Sequence, residues 1–174
     1  MRVIAIIFCL FCITRISAEE PGIPGKKERK EISRIFGSET AYRKAEISVD
    51  NSILQPYLKQ GDAVFELIRN ELVLGYLLST QAKGRFDLFD YSVIFSEELT
   101  VLNIMVLVYR STHGAGICSK SWLKQFKGYS GEELELGKDI DTISGATFSA
   151  SSMVKDIERC YQLMLMLRDA EVIH

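Results

Sequence analysis

Asp141-Thr142-Ile143-Ser144-Gly145-Ala146-Thr147-Phe148-Ser149 carries the densest chemistry in this 174-residue chain. It places an acid, small residues and several hydroxyls just ahead of a helical pattern that begins near Ala150. Gly145 has no Cβ and accepts positive φ, so the backbone can turn sharply and approach a ligand closely. Ser144, Thr147 and Ser149 offer hydroxyls, and the unpaired N–H groups of a helix start attract phosphate. Two readings follow from the residues alone. One is a phosphate site with a hydroxyl open to modification; the other is an ordinary N-cap, a position where Ser and Thr are common.

Asp141-x-x-Ser144-Gly145-Ala146-Thr147 resembles the flavinylation motif of the FMN-binding domain family. That family includes the flavin subunits of membrane-bound, ion-pumping NADH:quinone and ferredoxin:NAD oxidoreductases, together with small secreted relatives. The resemblance implies FMN held covalently, its phosphate esterified to the hydroxyl of Thr147 by a dedicated flavin transferase. Asp141, Ser144, Gly145 and Ala146 match the positions that the transferase recognises. Many members continue Thr-x-Thr-Ser, whereas this chain continues Phe148-Ser149-Ala150, so the second hydroxyl is that of Ser149. The family order also includes a Gly-Tyr strand, a glycine-rich loop and a Trp/Leu-Gln-Phe helix. Gly75-Tyr76, His113-Gly114-Ala115-Gly116 and Trp122-Leu123-Lys124-Gln125-Phe126 occur here in that order, across some 90 residues.

The resemblance sets Gly114 and Gly116 beside the isoalloxazine ring, where missing side chains permit close approach. Many relatives carry Glu and Pro where this chain has Thr112 and His113, so His113 either hydrogen-bonds the flavin or is a solvated loop residue. His113 with Cys118 is also a conceivable nucleophilic pair, but no third residue to orient it is evident. Two histidines in the chain give little basis for haem or zinc, and no metal site is expected.

These residues need a scaffold. Lys26 to Phe36 is charged with Ile32, Ile35 and Phe36 on one side, the pattern of a short amphipathic helix. Ala63–Ile68 and Leu72–Leu78 are β-rich runs about a turn at Arg69-Asn70-Glu71, and Gln81–Arg85 breaks the pattern. Tyr91–Phe95 and Val101–Tyr109 form a second pair around Ser96-Glu97-Glu98. From Ser149 or Ala150 to about Arg168, Val154, Ile157, Tyr161, Met164 and Arg168 recur at steps of three and four, giving an amphipathic helix. Asp156 and Arg159 are expected on its solvated face. The fold class is therefore α+β: an antiparallel sheet packed by a long C-terminal helix and a shorter one. The expected organisation is a signal peptide over 1–18, a flexible leader over 19–25, a helical or cover segment over 26–60 and the FMN-binding domain over 61–170.

Met1-Arg2, the apolar run Val3–Ile13 and the small residue Ala18 read as a secretory signal, with a run too short to span a bilayer. The expected location is periplasmic or secreted; an uncleaved segment or a membrane-bound partner would hold the domain at a membrane. Cys9 and Cys12 would leave with the signal. Cys118 and Cys160 then remain, as thiols by default and as a possible pair in an oxidising compartment. The signal removes two of 21 basic residues and no acid, leaving 19 against 23 and a net charge of −4, which argues against nucleic acid. The expected function is electron transfer by a tethered flavin, with membrane-bound or periplasmic redox partners. No catalytic acid/base pair is evident, so a carrier is favoured over a self-sufficient enzyme. The alternative is a binding or assembly module of the same fold without flavin.

Overall fold

The computed structural model describes residues 23–47 and 54–174; the expected signal peptide and most of the expected leader lie outside them. Helix α1 (Lys26–Phe36) is followed by strands β1 (Ala41–Lys44), β2 (Ala63–Arg69), β3 (Leu72–Lys83), β4 (Leu88–Ser96) and β5 (Val101–Val108). The short helix α2 (Lys120–Leu123) and the long helix α3 (Thr147–Asp169) complete the set. The strands form one antiparallel sheet in chain order, a plain meander. This is the α+β class expected from the sequence, with an edge strand, β1, inside the segment expected as a cover.

Alternation along the strands divides the side chains between two cores. Val64, Tyr76, Leu78, Tyr91, Val93, Ile104 and Val106 point to the face covered by α3 and by Trp122, Leu123 and Phe126. Phe65, Leu67, Leu77, Ile94 and Met105 point the other way, where Ile32 of α1 packs on them. Both faces are buried, which is why the strands read as near-continuous apolar runs. Asn70 and Glu71 both take positive φ, the geometry of a two-residue hairpin loop whose twist suits the flanking strands.

Three boundaries differ from expectation. β3 does not break at Gln81 but continues to Lys83, because Gln81 and Lys83 pair with Asp90 and Leu88 and the Gln81 amide donates to Asp90 at 2.7 Å. β4 accordingly begins at Leu88. α3 starts at Thr147, ahead of the apolar periodicity, because Ala146 is drawn into the core at 3% exposure.

Asp156 and Arg159 are a clearer correction. They face inward, in an ion network with Lys59, Asp62, Thr80 and Tyr91. A charged pair can occupy that face because each member finds a counter-charge or hydroxyl there. Burial pushes the Asp156 carboxyl up, yet Arg159 and Lys59 outweigh it and hold the group below the usual range.

Candidate functional site

A cleft of about 310 Å³ opens where three segments meet at one end of the sheet. The turn Gly84–Asp87, which joins β3 to β4, contributes Arg85. The loop after β5 contributes His113 and Gly114, and the start of α3 contributes Gly145 to Ser149. The structure thus joins the motif to the first half of the glycine loop, which lies some thirty residues away in sequence.

The motif has a division of labour that its residue types explain. Ala146 N–H donates to the Ile143 carbonyl at 2.9 Å, closing a tight turn. Gly145 sits in that turn at φ +74°, a left-handed conformation that a Cβ would strain. A Cβ there would nonetheless meet no atom within 4 Å, so the space beside Gly145 is open to a ligand. Ala146 is buried, and Thr147, exposed, takes the first helical position. Among the described residues no side chain caps this helix, so the first N–H groups of α3, whose residues line the cleft, have no side-chain acceptor. The N-cap reading of the hydroxyls is therefore not realised in the structure.

The other expected residues divide in two. Ser144 is exposed but does not line the cleft. Ser149 lines the cleft, yet it is buried and its Oγ lies 3.0 Å from the Tyr109 hydroxyl. Tyr109 donates its own proton to the His113 carbonyl at 2.7 Å, which leaves Ser149 to donate to Tyr109. Asp141 lies outside the cleft with its side chain exposed. Its backbone is fixed on both sides: Asp141 N–H donates to Gln125 Oε1 at 2.9 Å, and Trp122 Nε1–H donates to the Asp141 carbonyl at 2.8 Å. The Trp-x-x-Gln spacing therefore serves to hold Asp141 in place.

The two loop glycines have protein neighbours. A Cβ on Gly114 would fall 2.6 Å from Tyr109 Oη and 3.0 Å from Ser149 Oγ, while one on Gly116 would fall 2.7 Å from Ile143 Cγ2. Both positions let the loop close onto the motif segment, and only Gly114 lines the cleft. His113 also lines it; its Nδ1 is 3.0 Å from the Thr112 hydroxyl and its ring stands edge-on to exposed Phe86, centroids 6.2 Å apart. No hydrogen bond joins His113 to Cys118 among the described residues. Burial raises the Cys118 thiol above its ordinary value, the reverse of what a nucleophile needs. Cys118 and Cys160 are both free thiols.

Three contributors were not legible beforehand: Arg85, Phe148 and Tyr109. Phe148 is 49% exposed at the cleft, and Phe86 beside Arg85 is 68% exposed. An exposed aromatic next to a motif hydroxyl is a usable sequence signal for Phe148; nothing in the spacing brings the β3–β4 turn here.

The Tyr109 lock gives a direct prediction. Gly114→Ala combines a left-handed non-glycine residue with a collision at Tyr109 Oη, and is expected to cost about 1–3 kcal/mol. Tyr109→Phe loses two hydrogen bonds but removes the oxygen that the new Cβ meets, costing about 1–2 kcal/mol alone. Urea unfolding of both single variants and the double variant should show less than the sum of the two losses. Strict additivity would mean that Gly114 answers to some other neighbour.

No family model matches the sequence, and no curated protein matches it. The fold does match solved structures. One is NqrC of Shewanella oneidensis, with a TM-score of 0.52 and 13% sequence identity over 76% of this chain and 91% of that one. Among the described residues, no helix is long and apolar enough to cross a membrane, and no cluster of His, Cys, Asp and Glu is placed to hold a metal.

Proposed function

We propose that this chain is an extracytoplasmic flavoprotein that carries FMN as a phosphoester on Thr147 and passes electrons through it. The observation that carries the reading is the position of Thr147. Its side chain is exposed in the cleft, free of hydrogen bonds among the described residues, on the first turn of a helix with no side-chain cap. The motif's resemblance to the FMN-binding domain family supports the same reading, and the likeness to NqrC shows the fold.

The residues present fit such a group. Uncapped N–H groups and the positive end of the α3 dipole favour a phosphate oxygen, and the open space beside Gly145 admits it. Phe148 and His113 line the cleft, with Phe86 against the His113 ring, and such aromatic surface suits a flat heteroaromatic ring. The volume lies at the small end of ligand pockets, in keeping with a ring that is tethered and left reachable by a redox partner. Bound flavin supplies one- and two-electron chemistry; the protein supplies attachment, orientation and access. In this reading residues 1–18 export the chain, and a flavin transferase and membrane-bound or periplasmic redox partners complete its working set.

Asp141 is assigned to attachment. Its carboxylate is exposed while its backbone is pinned by Trp122 and Gln125, so Asp141→Ala should fold normally and yet take up little flavin. Flavin absorbance per mole of protein, with circular dichroism as the control for folding, checks this. Full loading of the variant would remove Asp141 from that role.

The functional reading is tested by co-expression with a competent flavin transferase. The product should be yellow, fluoresce after denaturing electrophoresis and be bleached by dithionite. Flavin that resists dithionite and small redox dyes alike would favour the assembly module over the carrier.

A further inference from the structure

We infer that Arg85 is the counter-charge of this cleft, the residue that makes it select a phosphorylated flavin over a neutral one. The inference rests on the proposed flavin site and adds a recognition element from outside the motif.

Among the described residues Arg85 is the only lysine or arginine that lines the cleft, together with the α3 start that carries Thr147. It stands on the four-residue turn between β3 and β4, which is held by the Lys83–Leu88 pair and by Gly84 N–H donating to the Asp87 carbonyl at 2.8 Å. The turn leans on the helix start: a Cβ on Gly84 would lie 3.8 Å from Ser149 Oγ. A long flexible side chain is thus mounted on a short, closed turn beside the motif.

Its charge is uncommitted. Among the described residues no carboxylate pairs with Arg85, and its guanidinium lies over the Phe86 ring, whose centroid is 5.4 Å from Cζ. Arg110, near the same end of the sheet, shows the contrast. Its guanidinium grips Asp90 through both terminal nitrogens, at 3.0 and 2.6 Å, and has no charge to spare. A guanidinium over an aromatic ring keeps its outer N–H groups free for an anion. Phosphate is an anion whose geometry a planar fork matches, and the helix start supplies a second source of positive potential in the same cleft. A neutral ribityl alcohol would gain nothing from either.

The test uses the full chain from a host without flavin transferase, titrated into FMN and, separately, riboflavin, with flavin fluorescence as the readout. FMN should bind roughly tenfold more tightly, and the preference should shrink as salt rises. Inorganic phosphate should compete with FMN and leave riboflavin binding unchanged. Arg85→Gln should cut the preference to the small share that the helix start supplies, while Arg85→Lys should keep more of it. An FMN preference undiminished by Arg85→Gln overturns the role of Arg85 and leaves the flavin site standing. Binding of neither flavin overturns the flavin reading and this inference with it.

Discussion

Thr147→Ala is expected to carry no covalent flavin when co-expressed with a competent transferase, while wild type reaches one FMN per chain. The change removes the one oxygen that the ester needs and little else. Thr147 is exposed at the first position of α3, where alanine is a good helix former, so stability should move by less than about 0.5 kcal/mol. The neighbouring hydroxyls are poor substitutes. Ser149 is buried and donates to Tyr109, so using its oxygen would break the lock between loop and helix. Ser144 is exposed but lies outside the cleft. Thr147→Ser keeps the hydroxyl and should retain part of the adduct. In-gel fluorescence against total protein reads all three. A full-strength band from Thr147→Ala would move the attachment elsewhere.

Asp156→Ala is expected to cost roughly 3–5 kcal/mol at neutral pH, the range for breaking one side of a buried ion pair. The side chains of Asp156, Arg159 and Asp62 are 7%, 12% and 1% exposed, so solvent screens them weakly. Losing Asp156 takes from Lys59 its carboxylate and leaves it the Gln81 carbonyl, removes the carboxylate acceptor of the Tyr91 hydroxyl, and leaves Arg159 with Asp62 as its one carboxylate beside Thr80 and the Tyr57 carbonyl. The remaining Asp62 contact places the loss at the lower end of the range. The network also ties Tyr57 and Lys59 to the middle of α3, so its loss should loosen that segment first. The pH dependence has a definite sign. Asp156 has a lowered pKa in the fold, against about 3.9 in an unfolded chain. Its contribution is complete above that unfolded value and is lost as pH falls through the folded one. Urea unfolding should therefore show a wide gap between wild type and variant at pH 7 and a narrower one near pH 3. A difference under 1 kcal/mol at pH 7 would contradict the network.

The sheet was legible because its signals are local. Near-continuous β-rich apolar runs mark β2 to β5, and Asn70 marks a hairpin that needs no distant partner. α1 was legible as an amphipathic helix from Ile32, Ile35 and Phe36, but which face of the sheet it covers was not. The inward turn of Asp156 and Arg159 could not be read either. Helical spacing places them near the apolar stripe, but only Lys59, Asp62 and Tyr91, far away in sequence, make their burial tolerable. The same limit applies to the cleft. Motif spacing pointed to Thr147, and glycines pointed to the loop, but Gly114 and Gly116 proved to be shaped by Tyr109, Ser149 and Ile143. Arg85 reaches the site through strand pairing, a three-dimensional fact with no mark on the turn itself. Tyr109 read as the end of an apolar strand, and only its hydroxyl contacts reveal it as the link between loop and helix.

The central claim is a phosphoester on Thr147, and peptide-level mass spectrometry of protein from its native host tests it most directly. The peptide spanning Asp141 to Arg159 should be heavier by one FMN less one water, with fragmentation locating the added mass on Thr147. The same peptide found only at its unmodified mass, or with the addition on Ser144 or Ser149, would contradict the account.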